Sequence, residues 1–266
     1  MGAIDNDCDL HGLKLFGRIP VYPVEAARGL AWDRIVVCNN SGDIVRAEIH
    51  EQLTGMGVPE GMINFYPEEH MPEWIDQRRG FFRDFSCYAS LNTIDGAVAE
   101  CGVFSGETAK FLNLYFRERR LYLFDSFEGF SEEDINSERA FEDEAFLAGP
   151  LNKVGMLRQP SVKVVMDKIM FPDNVVIKKG WVPDSFEGVD DVFCFVNLDM
   201  DLYAPMLAAL LFFWPRMSQG GIILLHDYFH PELPGVKRAV DAFEAECGAV
   251  CKFPIGDGCS LGIVKP

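Results

Sequence analysis

Residues 98–112, VAECGVFSGETAKFL, run from an apolar segment holding one acid, through two glycines, into a helix-like stretch. In α/β proteins this order, strand then glycine turn then helix, opens a ligand crevice at the carboxyl end of a sheet strand. Gly102 lets the main chain come close to a ligand. Gly106 opens a helix whose free N–H groups can receive a carboxylate or phosphate. Many α/β proteins turn on glycine here, so the turn takes its meaning from what surrounds it.

Working outward, the alternation of strand and helix is regular from residue 96 onward. Strand-like runs fall at 97–101, 120–125, 174–180, 191–199 and 220–228, with CKFPI (251–255) and SLGIVK (260–265) at the end. Helix-like runs fall between them at 106–118, 161–170, 204–216 and 235–246. This pattern predicts an α/β fold, a Rossmann-like doubly wound and mostly parallel sheet with ligand loops at the strands' carboxyl ends. The short GDGC (256–259) joins the last two strands as a terminal antiparallel hairpin.

Three regions are expected: a small α/β unit (1–67), a helical linker (68–92) and the main domain (93–266). In the first, RIVVC (34–38), IVRAEIHEQLTGMGV (44–58) and GMINFY (61–66) read as strand, helix and strand around the turn NNSGD. That turn is not GxGxxG, so a dinucleotide site is poorly supported there. Upstream, FGRIPVYPVEAA (16–27) reads as a turn and a small helix. In the linker, Trp74, Phe81, Phe82, Phe85 and Tyr88 share roughly one helical face, which is read as core packing or a homodimer face. The acidic run 131–149, SEEDINSERAFEDEAFLAG, reads as a solvated loop or short helix, with a lid over the crevice as its functional alternative.

Composition narrows the function. The 266-residue chain is 48% hydrophobic and carries a net charge of −17. The charge argues against nucleic-acid binding, which leans on Lys and Arg. The first residues, MGAIDNDCDLHGLK, lack the basic and apolar regions of a secretory leader, and Asn6 breaks the myristoylation pattern. No apolar run reaches the ~18 residues of a membrane span. A cytoplasmic protein is therefore expected. The eight cysteines form no CxxC pair, and Cys247, Cys251 and Cys259 read as free thiols rather than as a zinc site of unusual spacing.

Four motifs carry chemistry. The glycine turn follows Glu100. A second strand, LYLFDSFEGF (121–130), ends in Asp125, about 20 residues beyond the turn, where an acid can hold ribose hydroxyls or merely cap a turn. The turn is not the GxGxxG that a pyrophosphate favours, which points from dinucleotides toward S-adenosylmethionine (SAM). Third, NLDMDLY (197–203) places Asp199 and Asp201 at the end of a strand. Fourth, the strand of residues 220–228 closes on His226 and Asp227. Asp199 and Asp227 then face one crevice from neighbouring strand ends, an oxygen set that suits Mg²⁺ acting as a Lewis acid on a substrate hydroxyl. The structural alternatives are a helix cap for Asp199 and a core or rim position for His226. Asp201 is read as starting the next helix.

Together these motifs resemble the macrocin O-methyltransferase family, class I SAM-dependent enzymes that methylate sugar hydroxyls of macrolides and related natural products. The likeness runs through VAECGVFSGETA, YLFDSFEGF, IKKGWVPDSF, LDMDLYAP and GGIILLHDYFHPELPGVKRAVDAF, over about residues 90–245. It implies that Glu100, Gly102, Ser105, Gly106 and Thr108 line the methionine end of SAM, that Asp125 and Ser126 take the ribose, and that Gly180 and Trp181 lie near the adenine. It implies Asp199 as catalytic base and metal ligand, with His226 and Asp227 completing a site for Mg²⁺ or another divalent cation. The family's strand usually ends in two aspartates, so His226 replaces an expected carboxylate and favours transition metals. The acceptor is expected to be a small, sugar-containing molecule. Two other functions compete: an NAD(P)-dependent sugar oxidoreductase, which lacks GxGxxG and Tyr-x-x-x-Lys here, and a catalytically retired binding subunit.

Overall fold

The computed structural model describes residues 3–5, 14–15, 19–23, 25–26, 35–38, 43–66, 73–149, 151–158 and 161–266. The chain divides into two compact units, Met1–Met71 and Pro72–Pro266.

In the first unit, strands β1 (Ala3–Asp5), β2 (Lys14–Leu15) and β3 (Ile19–Pro23) form a small sheet in the order β1-β3-β2. Residues 19–23, expected as part of a turn and helix, are thus a strand, paired with neighbours on both sides. Strand β4 (Ile35–Cys38), helix α1 (Asp43–Gly55) and strand β5 (Ile63–Tyr66) make the expected strand–helix–strand, with β4 and β5 parallel. Leu53 and Val58 are its buried centre, packed by Ile35, Ile49, Met56 and Ile63. Residues 39–42 of the NNSGD turn lie outside the described residues.

The second unit begins with helix α2 (Glu73–Leu91). It continues through β6 (Ala97–Cys101), α3 (Ala109–Tyr115), β7 (Leu121–Asp125), α4 (Glu132–Arg139), α5 (Glu144–Ala148), α6 (Val162–Met166) and β8 (Val175–Lys179). It ends with β9 (Phe193–Leu198), α7 (Tyr203–Phe213), β10 (Met217–Leu225), α8 (Pro234–Cys247), β11 (Cys251–Pro254) and β12 (Leu261–Val264). The sheet has seven strands in the order β11-β12-β10-β9-β6-β7-β8. Strands β6 to β10 run parallel. β12 is antiparallel to β10 and to β11, the expected terminal hairpin. The chain moves outward from β6 to β8 and then returns to the other side of β6 with β9. That reversal leaves a crevice outside the carboxyl ends of β6 and β9.

The central strands β6 and β9 are buried along their whole length because both faces are covered, and all their residues but Glu100 and Asn197 are apolar. Along β9 the register shifts by one residue against β6, since Ala97 faces Phe193 while Val98 faces Phe195. This bulge turns two phenylalanines of one strand to opposite sides. Phe195 meets Phe82 and Phe85 of α2 and Phe116 just beyond α3, each at 5.5 Å. Phe193 instead packs edge-on against Phe213 of α7 at 5.0 Å. On that second face, α8 buries Val236, Ala239, Val240 and Phe243, the i, i+3, i+4, i+7 pattern of one helical stripe.

Of the aromatic face expected in 68–92, Phe82 and Phe85 are core and Tyr88 is exposed. The side chain of Trp74 lies outside the described residues. The acidic run is not a loop but holds two short helices, α4 and α5, in line with the second of its readings. Ser131 caps α4 by accepting from the N–H of Asp134 at 3.0 Å, and Ile135 and Phe146 are fully buried in the main core. Among the described residues, no helix is long and apolar enough to cross a membrane.

Candidate active site

Four backbone hydrogen bonds stitch together the ends of the five parallel strands, each donated one residue beyond a strand. Gly102 donates its N–H to the carbonyl of Phe124 at 2.9 Å, Gly180 to that of Asp125 at 3.0 Å, Asp199 to that of Cys101 at 2.8 Å and His226 to that of Leu198 at 2.9 Å. This brings motifs from β6, β7, β8, β9 and β10 to one rim. Gly102 has φ +85°, and a Cβ there would stand 1.9 Å from the carbonyl oxygen of Asp199. Only glycine lets the turn after β6 touch the end of β9. Gly106, φ +81°, faces Val165 instead, where a Cβ would meet a methyl at 3.0 Å.

Asp125 braces the glycine turn. One carboxylate oxygen accepts from the N–H groups of Val103 and Phe104 at 2.7 and 2.8 Å, and the other from Phe127 at 2.6 Å. Three of its roughly four acceptor sites are therefore taken by backbone. Glu100 sits behind the turn rather than on the crevice wall, 1% exposed, and one of its oxygens accepts from Asn197 Nδ2 at 3.3 Å. Burial pushes its carboxyl well above the usual range, the Asp199 charge adds to this, and Arg78 opposes it. Glu100 Oε2 and Asn197 Oδ1 have no hydrogen-bond partner among the described residues, and the two residues face each other across β6 and β9. A single proton on Glu100 would satisfy both atoms.

Beside the turn lies an acid centre. Carboxylate oxygens of Asp199, Asp201 and Asp227 come within 4.8 Å of one another. Two cations are built into it. Arg78 of α2, 5% exposed, binds Asp199 Oδ2 through Nη1 at 2.8 Å and Thr108 Oγ1 through Nη2 at 3.1 Å. His226 Nδ1 lies 2.6 Å from Asp227 Oδ2 and 3.0 Å from Asp199 Oδ1. Burial alone would raise the Asp199 carboxyl, but His226 and Arg78 hold it well below the usual carboxylate range. Burial opposes charge on His226 too, yet the adjacent acids push its imidazole up. Asp201 is pushed well above its ordinary value by burial and by its two acidic neighbours. It does not start a helix. Its φ is +64°, and α7 begins at Tyr203. Asp227 is likewise left-handed at +61°.

A cavity of about 520 Å³ joins these parts, within the range that holds a small ligand or cofactor. Gly102, Ser105 and Thr108 line one stretch with Arg78. Asp125, Ser126, Gly180 and Trp181 line another, and Asp199, Asp201, His226 and Asp227 line the third. Trp181 stays 43% exposed, with its indole N–H tied to the carbonyl of Gly129 at 3.1 Å. Of the expected site residues, Glu100 and Gly106 are not on the cavity wall.

Sequence reasoning missed Arg78 and Asp201. For Arg78 a signal existed: positions 78, 82, 85 and 89 repeat at helical spacing, and all four are buried. A cation in phase with a buried face needs an internal anion. For Asp201 no such signal exists, because its direction is set by the left-handed turn between β9 and α7.

Residues 76–252 match the model of the macrocin O-methyltransferase (TylF) family. Among curated proteins, the chain is 29% identical over 148 residues to the 8-demethyl-8-(2,3-dimethoxy-alpha-L-rhamnosyl)-tetracenomycin-C 4'-O-methyltransferase of Streptomyces olivaceus, covering 51% of this chain and 54% of that one. It is 25% identical over 173 residues to the demethyldecarbamoylnovobiocin O-methyltransferase of Streptomyces niveus, covering 62% of each. The chain thus spans between half and two thirds of the length of these relatives. Two solved structures share the fold. The O-methyltransferase NovP has a TM-score of 0.59 at 21% identity, over 71% of this chain and 79% of that one. The calicheamicin methyltransferase CalS11 has a TM-score of 0.53 at 18% identity, over 84% and 93%. The sheet order and the glycine turn are those of a class I methyltransferase fold, and with two thirds of its length matched the chain belongs to the macrocin O-methyltransferase family.

Proposed function

We propose that this protein transfers the methyl group of SAM to a hydroxyl of a sugar or glycosylated small molecule. One observation carries the reading. The glycine turn after β6 and the acid centre after β9 are in van der Waals contact through Gly102 and open into the same cavity. A methyl donor on the first would lie beside an acceptor on the second. The tetracenomycin relative is named for a rhamnosyl-bearing acceptor, which supports the acceptor class.

SAM would supply an electrophilic methyl group, and the donor set suits it. The Arg78 guanidinium with the hydroxyls of Ser105 and Thr108 matches a carboxylate, the remaining acceptor site of Asp125 and the Ser126 hydroxyl match a ribose, and the Trp181 ring beside Gly180 matches an adenine. Glu100, its carboxyl pushed up by burial behind the turn, would join β6 to β9 through Asn197 rather than touch the cofactor. Gly106 leaves room for Val165.

Asp199 would take the acceptor's proton at Oδ1. That oxygen is shared with His226, whose contact to Asp227 is the shorter of its two. Turning fully to Asp227 frees Asp199 Oδ1 for a substrate hydroxyl, while Arg78 keeps the other oxygen in place. Positioning of this kind supplies much of the rate of a displacement between two bound reactants. Three carboxylates this close fit a divalent cation as well as the internal ones. Asp199, Asp201 and Asp227 would hold it, and it would supply Lewis acidity at the acceptor oxygen.

Calorimetry with SAM, S-adenosylhomocysteine and NAD separates this reading from a sugar oxidoreductase. Binding of the first two and not of NAD is expected, followed by label transfer from methyl-labelled SAM to a glycosylated acceptor. Binding of NAD without SAM would overturn the proposal.

A further inference from the structure

The hairpin between β11 and β12 brings a thiol to the edge of the acid centre. Cys259 Sγ lies 3.3 Å from Asp227 Oδ1, while His226 Nδ1 meets the other oxygen, Oδ2, at 2.6 Å. A ring nitrogen of His226, an oxygen of Asp227 and the sulfur of Cys259 all come within 4.8 Å of one another. Ligand atoms around a tetrahedral zinc-like ion stand roughly 3.3–3.8 Å apart, given bonds of about 2.0–2.3 Å. Cys259 Sγ and Asp227 Oδ1, 3.3 Å apart, already stand at that spacing.

The turn is built to hold the thiol there. Asp257 accepts from the backbone N–H groups of Cys259 and Ser260 at 3.0 and 2.7 Å, and from the Ser260 hydroxyl at 2.6 Å. The carbonyl of Cys259 accepts from the N–H of Phe229 at 3.1 Å, which ties the hairpin to the loop carrying His226 and Asp227. A cysteine that only filled space would sit among apolar atoms, as Cys101 and Cys194 do in the core. Cys259 is partly exposed and faces a carboxylate and an imidazole instead.

We propose that His226, Asp227 and Cys259 form a mixed nitrogen, oxygen and sulfur site for a thiophilic divalent ion such as Zn²⁺ or Co²⁺, in preference to Mg²⁺. Thiolate and imidazole select such ions, whereas Mg²⁺ requires oxygen ligands and an octahedral shell. This site shares only Asp227 with the three-carboxylate set and goes beyond the reading above, and it can fail separately, because its readout is a metal spectrum and not methyl transfer or SAM binding.

The test uses the full chain with exposed Cys247 and Cys251 changed to serine, treated with a chelator and titrated with Co²⁺. One equivalent should bind with visible d–d bands and a near-ultraviolet thiolate-to-cobalt band. Zn²⁺ should abolish both, and a large excess of Mg²⁺ neither. Cys259→Ser should lose the near-ultraviolet band, and His226→Asp should shift the preference toward Mg²⁺. If Cys259→Ser does not fold by circular dichroism, protection of the Cys259 thiol from a maleimide by stoichiometric Zn²⁺, read by peptide mass, decides the same question. No Co²⁺ binding, a spectrum unaffected by Cys259→Ser, an unprotected thiol, or displacement of Co²⁺ by Mg²⁺ each overturns the proposal.

Discussion

Replacing Gly102 by alanine probes how the two halves of the cavity meet. The residue has φ +85°, and an added Cβ would stand 1.9 Å from the Asp199 carbonyl oxygen and 2.6 Å from its carbon. A left-handed backbone at a residue with a Cβ costs about 1–2 kcal/mol. Ordinary contact begins at 3.4 Å, so the end of β9 must retreat by 3.4 − 1.9 = 1.5 Å. Forced shifts in a packed interior cost roughly 1–3 kcal/mol. The sum, about 2–5 kcal/mol, corresponds to a fall in Tm of roughly 4–20 °C for a unit of this size. Gly188 supplies a control: its φ is +72°, but nothing lies within 4 Å of its added Cβ. Gly188→Ala should show only the backbone part and leave SAM affinity unchanged, whereas Gly102→Ala should weaken SAM by tenfold or more. Thermal melts by circular dichroism and calorimetry give both quantities. Equal losses of Tm in the two variants would refute the close approach of β6 and β9 on which the site rests.

Arg78→Met takes the guanidinium from Asp199 Oδ2, a loss of roughly 1–3 kcal/mol because the carboxylate is partly exposed and His226 still pairs its other oxygen. Pairing it with Asp199→Asn should recover much of that loss in urea melts without restoring methyl transfer. Asp199→Asn alone should keep SAM binding in calorimetry and lose turnover. Phe146→Ala in the acidic segment should destabilise the unit by about 3–5 kcal/mol, as for a core phenylalanine; an unchanged urea midpoint would mean the segment is a loose lid after all. Glu100→Gln tests the neutral carboxyl. Because burial raises its folded pKa, the folded protein keeps a proton that the unfolded chain releases near pH 4.3, so this group's contribution falls as pH rises above about 4.3. Glutamine has no such slope and can reproduce the hydrogen bonds of the protonated acid to Asn197. The Tm advantage of the variant should grow from pH 4 to pH 8, and an advantage constant with pH would count against a protonated Glu100.

The order of strands and helices was legible because its signals are local. Continuous apolar runs mark strands covered on both faces, and α8 shows its buried stripe in spacing alone. Where a local pattern was ambiguous, long-range pairing decided. Ile19–Pro23 holds two prolines and looks like a turn, yet it pairs on both sides. The acidic segment looked solvated because its charges outnumber its apolar residues. Two of those few, Ile135 and Phe146, are the ones that dock it, and Glu138 joins it to α7 by accepting from the Tyr203 N–H at 2.8 Å.

The site was legible in position more than in role. Acids at strand ends announce a crevice, and the cavity gathers most of those foreseen. What each acid does depends on partners far away in sequence. Asp125 looks free in LYLFD, but Val103 and Phe104, more than 20 positions earlier, occupy one of its oxygens. Glu100 and Asp199 end neighbouring strands, yet one is pushed up by an apolar surround and the other held down by Arg78, 121 positions away, and by His226. A sequence pattern records which groups are present, while their charge states follow from whether burial or a counter-ion dominates at each place. His226 shows how far this goes. Read alone, it is a substitution that weakens a magnesium site. In the fold it bridges Asp199 and Asp227 and stands beside Cys259, so the same residue supplies an internal cation and the nitrogen of a different metal site. The identity of the cation at this centre, imidazolium or metal ion, is therefore the property on which its chemistry turns.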